Sequence, residues 1–90
     1  ALFGDETQHG KPDPEIYLKA IAKSGFPPGA IVAFEDSKNG ILSARNAGLA
    51  VYRIENPVPI DADILNLVAA SFNNYDEALD FFHLDKKHLQ

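Results

Sequence analysis

Two short clusters carry the residues able to do chemistry. Glu35 and Asp36 follow directly on the apolar run Ala30-Ile31-Val32-Ala33-Phe34. Adjacent carboxylates leaving a buried strand repel one another and lose solvation. A hard cation relieves both penalties. Magnesium takes oxygen donors, usually one or two protein carboxylates, with water and phosphate completing its shell. A second reading stands beside it on local grounds: a solvated strand end, with Asp36 or Ser37 capping the helix that follows.

The other cluster is Gly10-Lys11-Pro12-Asp13-Pro14. A lysine between glycine and proline has a fixed backbone beside it, which suits a cation that must point at one spot. The alternative is a surface lysine in a turn. His9 is placed either to touch a substrate or to sit exposed in a loop. Ser37 and Asn39 could donate to phosphate or to metal-bound water, although helix capping accounts for Ser37 equally well. Gly40 falls early in a helix, where glycine costs about 1 kcal/mol against alanine. That cost points to close backbone packing near the site.

The elements that must position these residues alternate along the chain. Ala1-Leu2-Phe3 reads as the end of a strand running into a loop. Asp13 is a candidate N-cap and Pro14 a first-turn proline for a helix over 14–24. Its apolar positions are Ile16, Leu18, Ala20, Ile21 and Ala22, and Gly25 ends it. After the Pro27-Pro28-Gly29 turn, residues 30–34 form a continuous apolar run. That is the pattern of a strand buried on both faces of a parallel sheet. Ser37 opens a helix over 38–47 with Ile41, Leu42, Ala44 and Ala47 inward, closed by Gly48. Residues 49–54 form another strand and 55–61 a loop. The stretch 64–70 is ambiguous between a short helix and an approach to a strand, 70–72 is a short strand, and Asn73 or Asn74 starts a helix over 75–82 with Leu79 and Phe82 inward. Residues 85–90 read as a frayed polar tail. The alternation of strand and helix means an α/β fold, a parallel sheet with helices on both faces. Such sheets bind ligands at the carboxyl ends of their strands. Lys11 and Glu35-Asp36 both follow such ends.

Taken together, GKPDPEIYLKA, a short strand and FEDSKNGILSARNAG resemble the haloacid dehalogenase superfamily of phosphohydrolases. The branch containing phosphoglycolate phosphatase and beta-phosphoglucomutase is the most similar, over residues 2–56. Two ordered motifs at family-like spacing are more specific than either alone. The resemblance implies a three-layer Rossmann-like core, Mg2+ as cofactor and a small phosphorylated metabolite as substrate. It assigns Lys11 to neutralising the phosphate and the nucleophile, Asp36 to binding magnesium, and Glu35 to binding it directly or through water. Gly10, His9, Ser37 and Asn39 would surround substrate or metal. The implied reaction is attack of an aspartate on phosphorus, an aspartyl-phosphate intermediate, and its hydrolysis.

The same resemblance marks what these 90 residues lack. The family's nucleophile strand, ending in Asp-x-Asp, is not present. Asp61-Ala62-Asp63 has that spelling but follows a proline-rich loop and lies on the wrong side of the other motifs. The Ser/Thr motif and the cap domain belong upstream. The chain, which contains no methionine, is therefore expected to start inside a longer protein and to be a single partial domain, the C-terminal portion of the core. Alone it is expected to be inactive and to have a gap in its sheet between the strand before Lys11 and the strand ending at Phe34. It should then be unstable, oligomeric, or completed by the remainder of the protein. A phosphomutase of the same branch and a non-catalytic remnant are the alternatives.

Composition bounds the remaining classes. At 90 residues there is room for one domain, and about 60–65% of the unfolded surface of so short a chain is buried on folding. Thirteen acidic residues against 8 basic ones, a net charge of −5, argue against non-specific binding to nucleic acid or to an anionic membrane surface. The absence of cysteine excludes a disulfide framework and a thiolate metal site. No apolar run approaches the about 18 residues of a membrane span. ALFGDET lacks the pattern of a signal peptide, which leaves the cytoplasm as the default compartment.

Overall fold

The computed structural model describes residues 2–4 and 13–83. Four strands, β1 (Leu2–Gly4), β2 (Val32–Glu35), β3 (Ala50–Ile54) and β4 (Ala70–Phe72), form one parallel sheet in the order of the sequence. Helices α1 (Glu15–Ser24), α2 (Lys38–Asn46) and α3 (Ala62–Leu65) follow β1, β2 and β3, and α4 (Tyr75–Phe81) follows β4. The doubly covered parallel sheet expected from the alternating pattern is therefore present.

Alternation along the strands separates two cores. Ala33 and Val51 face Tyr17 of α1, Ile41 and Ala44 of α2, and Ile64 of α3. Phe34, Ile54 and Phe72 face Ala78 and Leu79 of α4 on the other side. Phe34 is fully buried, with its ring edge-on to Tyr75 and Phe82 at centroid separations of 6.0 and 5.9 Å. Such a fully buried phenylalanine is worth about 2–3 kcal/mol in apolar burial.

Local signals set the helix ends. Asp13 accepts a hydrogen bond from the Glu15 amide at 2.8 Å, supporting the first turn of α1. Ser37 Oγ accepts from the Gly40 amide at 3.0 Å, and Asn74 Oδ1 from the Glu77 amide at 2.8 Å. These contacts satisfy amides that a helix start leaves open. Gly25 and Gly48 take φ of 77° and 89° just after α1 and α2, conformations in which an L side chain is strained.

Two expectations are corrected and an open one is decided. The sheet has no gap beside β2: β1 pairs with it directly, in the register Leu2↔Val32, Phe3↔Ala33, Gly4↔Phe34. The edge of β2 offers unpaired backbone groups, and the segment from Gly4 to Val32 is long enough for a helical crossover between parallel neighbours. The buried stripe of α1 is Tyr17 with the part-buried Ala20, Ile21 and Ser24, whereas Ile16 and Leu18 are 37% and 49% exposed. When apolar residues run most of the way round a helix, composition does not fix which side packs. The ambiguous stretch 64–70 resolves into the end of α3, turns, and the start of β4. Asp61 is the N-cap of α3 and Asp63 lies in its first turn, so neither ends a strand. The expected tail at 85–90 lies outside the described residues.

Candidate metal and phosphate site

The site forms where β2 gives way to α2. Strand alternation turns Glu35 to the same face as Ala33, toward α1 and α2, where it is 1% exposed. Asp36, the next residue, has left the strand and is exposed. The two carboxylates paired in the sequence therefore point into different surroundings. A hydrogen bond from Tyr17 offsets part of the cost of burying one, and solvent screens the other.

Glu35 accepts a hydrogen bond at Oε2 from the hydroxyl of Tyr17. Its carboxylate also lies against the backbone of α2 at Gly40. A Cβ added there would stand 2.6 Å from the Glu35 carboxyl carbon and 3.0 Å from Ser37 Oγ. The glycine expected to permit close packing does so, and its neighbour is the acid itself. Ser37 acts as the N-cap of α2, and Asn39 is exposed in the first turn of that helix.

The backbone at Asp36 is held from the next strand. Asn56, in the loop after β3, donates from Nδ2 to the Asp36 carbonyl at 2.9 Å, while its Oδ1 accepts from the Val58 amide at 2.9 Å. A further tie runs to the segment that carries Lys11. Buried Ser43 of α2 donates its hydroxyl to the Asp13 carbonyl at 2.6 Å. The ion pair of Lys38 with Asp61, at 4.0 Å and with both partners well exposed, contributes little. Gly10, Lys11 and His9 lie outside the described residues, so the structure does not test their expected positions.

Among the described residues no group of three His, Cys, Asp or Glu side chains could hold a metal ion. Asp36 supplies one exposed carboxylate at a strand terminus, which fits magnesium with its habit of keeping several waters. Glu35, turned into the core, is not presented on the same surface. No helix among the described residues is long and apolar enough to cross a membrane.

Sequence reasoning does not single out Tyr17, Ser43 or Asn56. Ser43 leaves the clearest trace, because a serine among Ile41, Leu42 and Ala44 on a helix is a hydroxyl in need of a buried acceptor. Tyr17 lies within the GKPDPEIYLKA motif but bonds to a residue 18 positions on, and Asn56 bonds back across 20.

The model of the haloacid dehalogenase-like hydrolases matches residues 1–48, more than half of the chain. The chain belongs to this family. It is 48% identical over 48 residues to a phosphorylated carbohydrates phosphatase of Thermotoga maritima, covering 53% of this chain and 22% of that protein. It is 54% identical over 48 residues to the protein CbbY of Rhodobacter capsulatus, covering 53% and 21%. This haloacid dehalogenase-like chain thus spans about a fifth of the length of the curated relatives it matches. The crystal structure of a "putative beta-phosphoglucomutase" from Thermotoga maritima superimposes with a TM-score of 0.71 at 32% identity, over 88% of this chain and 37% of that one.

Proposed function

We propose that this chain is the part of a magnesium-dependent phosphohydrolase that holds the metal and steadies the phosphate. The observation that carries the reading is the placement of Asp36, exposed at the carboxyl end of an inner strand, where parallel sheets bind ligands. Asp36 would ligate magnesium, which when bound neutralises charge on the phosphoryl oxygens. Lys11 would pair with the same phosphate. Ser37 sets the helix start, and the Asn56 bond fixes the Asp36 backbone. Glu35 supports this arrangement from behind rather than as a direct ligand. The aspartate that attacks phosphorus is to be supplied from outside these 90 residues, so the chain alone is expected to be inactive.

The names of the relatives point to sugar phosphates as the substrate class: a phosphorylated carbohydrates phosphatase and a hexitol phosphatase are among them. The likeness to a beta-phosphoglucomutase favours a second reading, a phosphomutase that returns the phosphoryl group to a sugar instead of to water.

A chimera tests the first reading. Residues 1–48 would replace the aligned stretch of the Thermotoga phosphatase. The expected result is phosphatase activity that requires magnesium and falls at least about a hundredfold with Asp36→Asn or Lys11→Ala, on the scale of losing one electrostatic stabiliser of the transition state. Wild-type rates in both variants would refute the site assignment. Phosphoryl transfer between sugar positions in place of phosphate release would select the mutase.

A further inference from the structure

Tyr17 lies on the buried stripe of α1, 3% exposed, and its hydroxyl donates to the carboxylate of Glu35. A phenylalanine at this position would fill the same space. The hydroxyl adds only direction, which a buried polar group supplies through the partner it satisfies. Its partner is no ordinary core residue. Glu35 immediately precedes Asp36, and its carboxylate is confined on its other side by the backbone of α2 at Gly40. The acid is thus held between a hydroxyl from α1 and the first turn of α2. Any shift of the Glu35 side chain moves against the head of α2, and the chain between the two is Asp36, Ser37, Lys38 and Asn39.

We propose that Tyr17 is a positioning residue for the metal site. Acting through Glu35, it fixes the start of α2 and so the direction in which the Asp36 carboxylate leaves β2. The inference rests on the reading of Asp36 as a metal ligand. It adds a role to a tyrosine that begins the buried stripe of α1 six residues after Lys11, so the contact also ties the segment following that lysine to the acidic end of β2. The hydrogen bond from Ser43 to the Asp13 carbonyl is a second tie of the same kind, made to α2 itself.

The test uses the chimera, with residues 1–48 carried in the Thermotoga phosphatase, and Mn2+ as a paramagnetic stand-in for magnesium. Backbone amide broadening reports where the ion sits, a titration reports affinity, and far-UV circular dichroism reports folding. Broadening is expected to centre on residues 36–39. Tyr17→Phe should retain the fold and weaken Mn2+ binding about three- to tenfold, as the loss of its one hydrogen bond to the Glu35 carboxylate would. In a Glu35→Ala background the same change should add less than about twofold, because coupled residues are not additive. Unchanged affinity in Tyr17→Phe, or an equal loss in both backgrounds, overturns the positioning role. The metal-free amide shifts of Asp36 and Gly40 give a readout that does not require Glu35→Ala to fold: they should move in Tyr17→Phe, and unmoved shifts also overturn it. Asp36→Asn should weaken Mn2+ at least about tenfold. If that variant binds like the wild type, or if the wild-type amides stay sharp, the metal reading itself fails.

Discussion

The Glu35 carboxylate occupies the space that a side chain at Gly40 would need. A Cβ on Gly40 would lie 2.6 Å from the Glu35 carboxyl carbon, well inside van der Waals contact. Gly40→Ala is therefore expected to destabilise the protein by about 1–3 kcal/mol, the usual cost of overpacking a filled interior. Helix propensity alone predicts the opposite sign, a gain of about 1 kcal/mol. Urea unfolding of the two proteins decides between them.

Ser43 ties α2 to the carbonyl of Asp13 through a buried hydroxyl. Ser43→Ala leaves that acceptor without the bond, at an expected cost of about 1–2 kcal/mol. The loss should be accompanied by faster amide exchange at Glu15, whose own bond to Asp13 Oδ1 depends on the same residue staying in place. A stability change without faster exchange at Glu15 would mean that the tie does not organise the segment.

Asn56 makes two exposed hydrogen bonds, one to the Asp36 carbonyl and one from the Val58 amide. Replacing it with alanine should change global stability by less than about 1 kcal/mol, because water can take over both groups. Local order should respond more. Exchange of the Val58 amide is expected to rise about fivefold, equivalent to roughly 1 kcal/mol of local opening. Hydrogen exchange read residue by residue makes the comparison.

Ser37 separates capping from ligand binding. Aspartate caps a helix about as well as serine, and alanine does not. Ser37→Asp should keep stability within about 0.5 kcal/mol, whereas Ser37→Ala should lose about 1 kcal/mol. Equal losses in thermal unfolding would show that the hydroxyl serves something other than the Gly40 amide.

Much of the architecture was legible because it rests on local pattern. The continuous run Ile31–Phe34 reads as a doubly buried strand, and both Ala33 and Phe34 are fully buried. Ser37 and Gly48 mark the two ends of α2 as their chemistry requires. What escaped depends on contacts between distant segments. The inward side of α1 is decided by what packs on it, so Tyr17 took the place that composition gave to Ile16 and Leu18. Adjacent spelling made Glu35 and Asp36 look like one pair, whereas Glu35 is the buried last residue of β2 and Asp36, already past the strand, is exposed. The pairing of β1 with β2 could not be read from the motifs, because it reflects which backbone edge is open.

The sheet runs in the order of its strands, and this sets how the chain can assemble. Val32 pairs with Ala50 and Tyr52 with Ala70, each 18 residues apart, whereas Leu2 must reach Val32 across 30. β1 and β4 each bring just three residues to an edge, so the difference between them is the loop-closure entropy, which favours the two shorter pairings by about 0.4 kcal/mol. Folding is then expected to begin around β3 and spread outward to both sides, with β1 arriving last. Pulse-labelled amides would record that sequence as early protection at Val51 and Tyr52 and late protection at Leu2–Gly4.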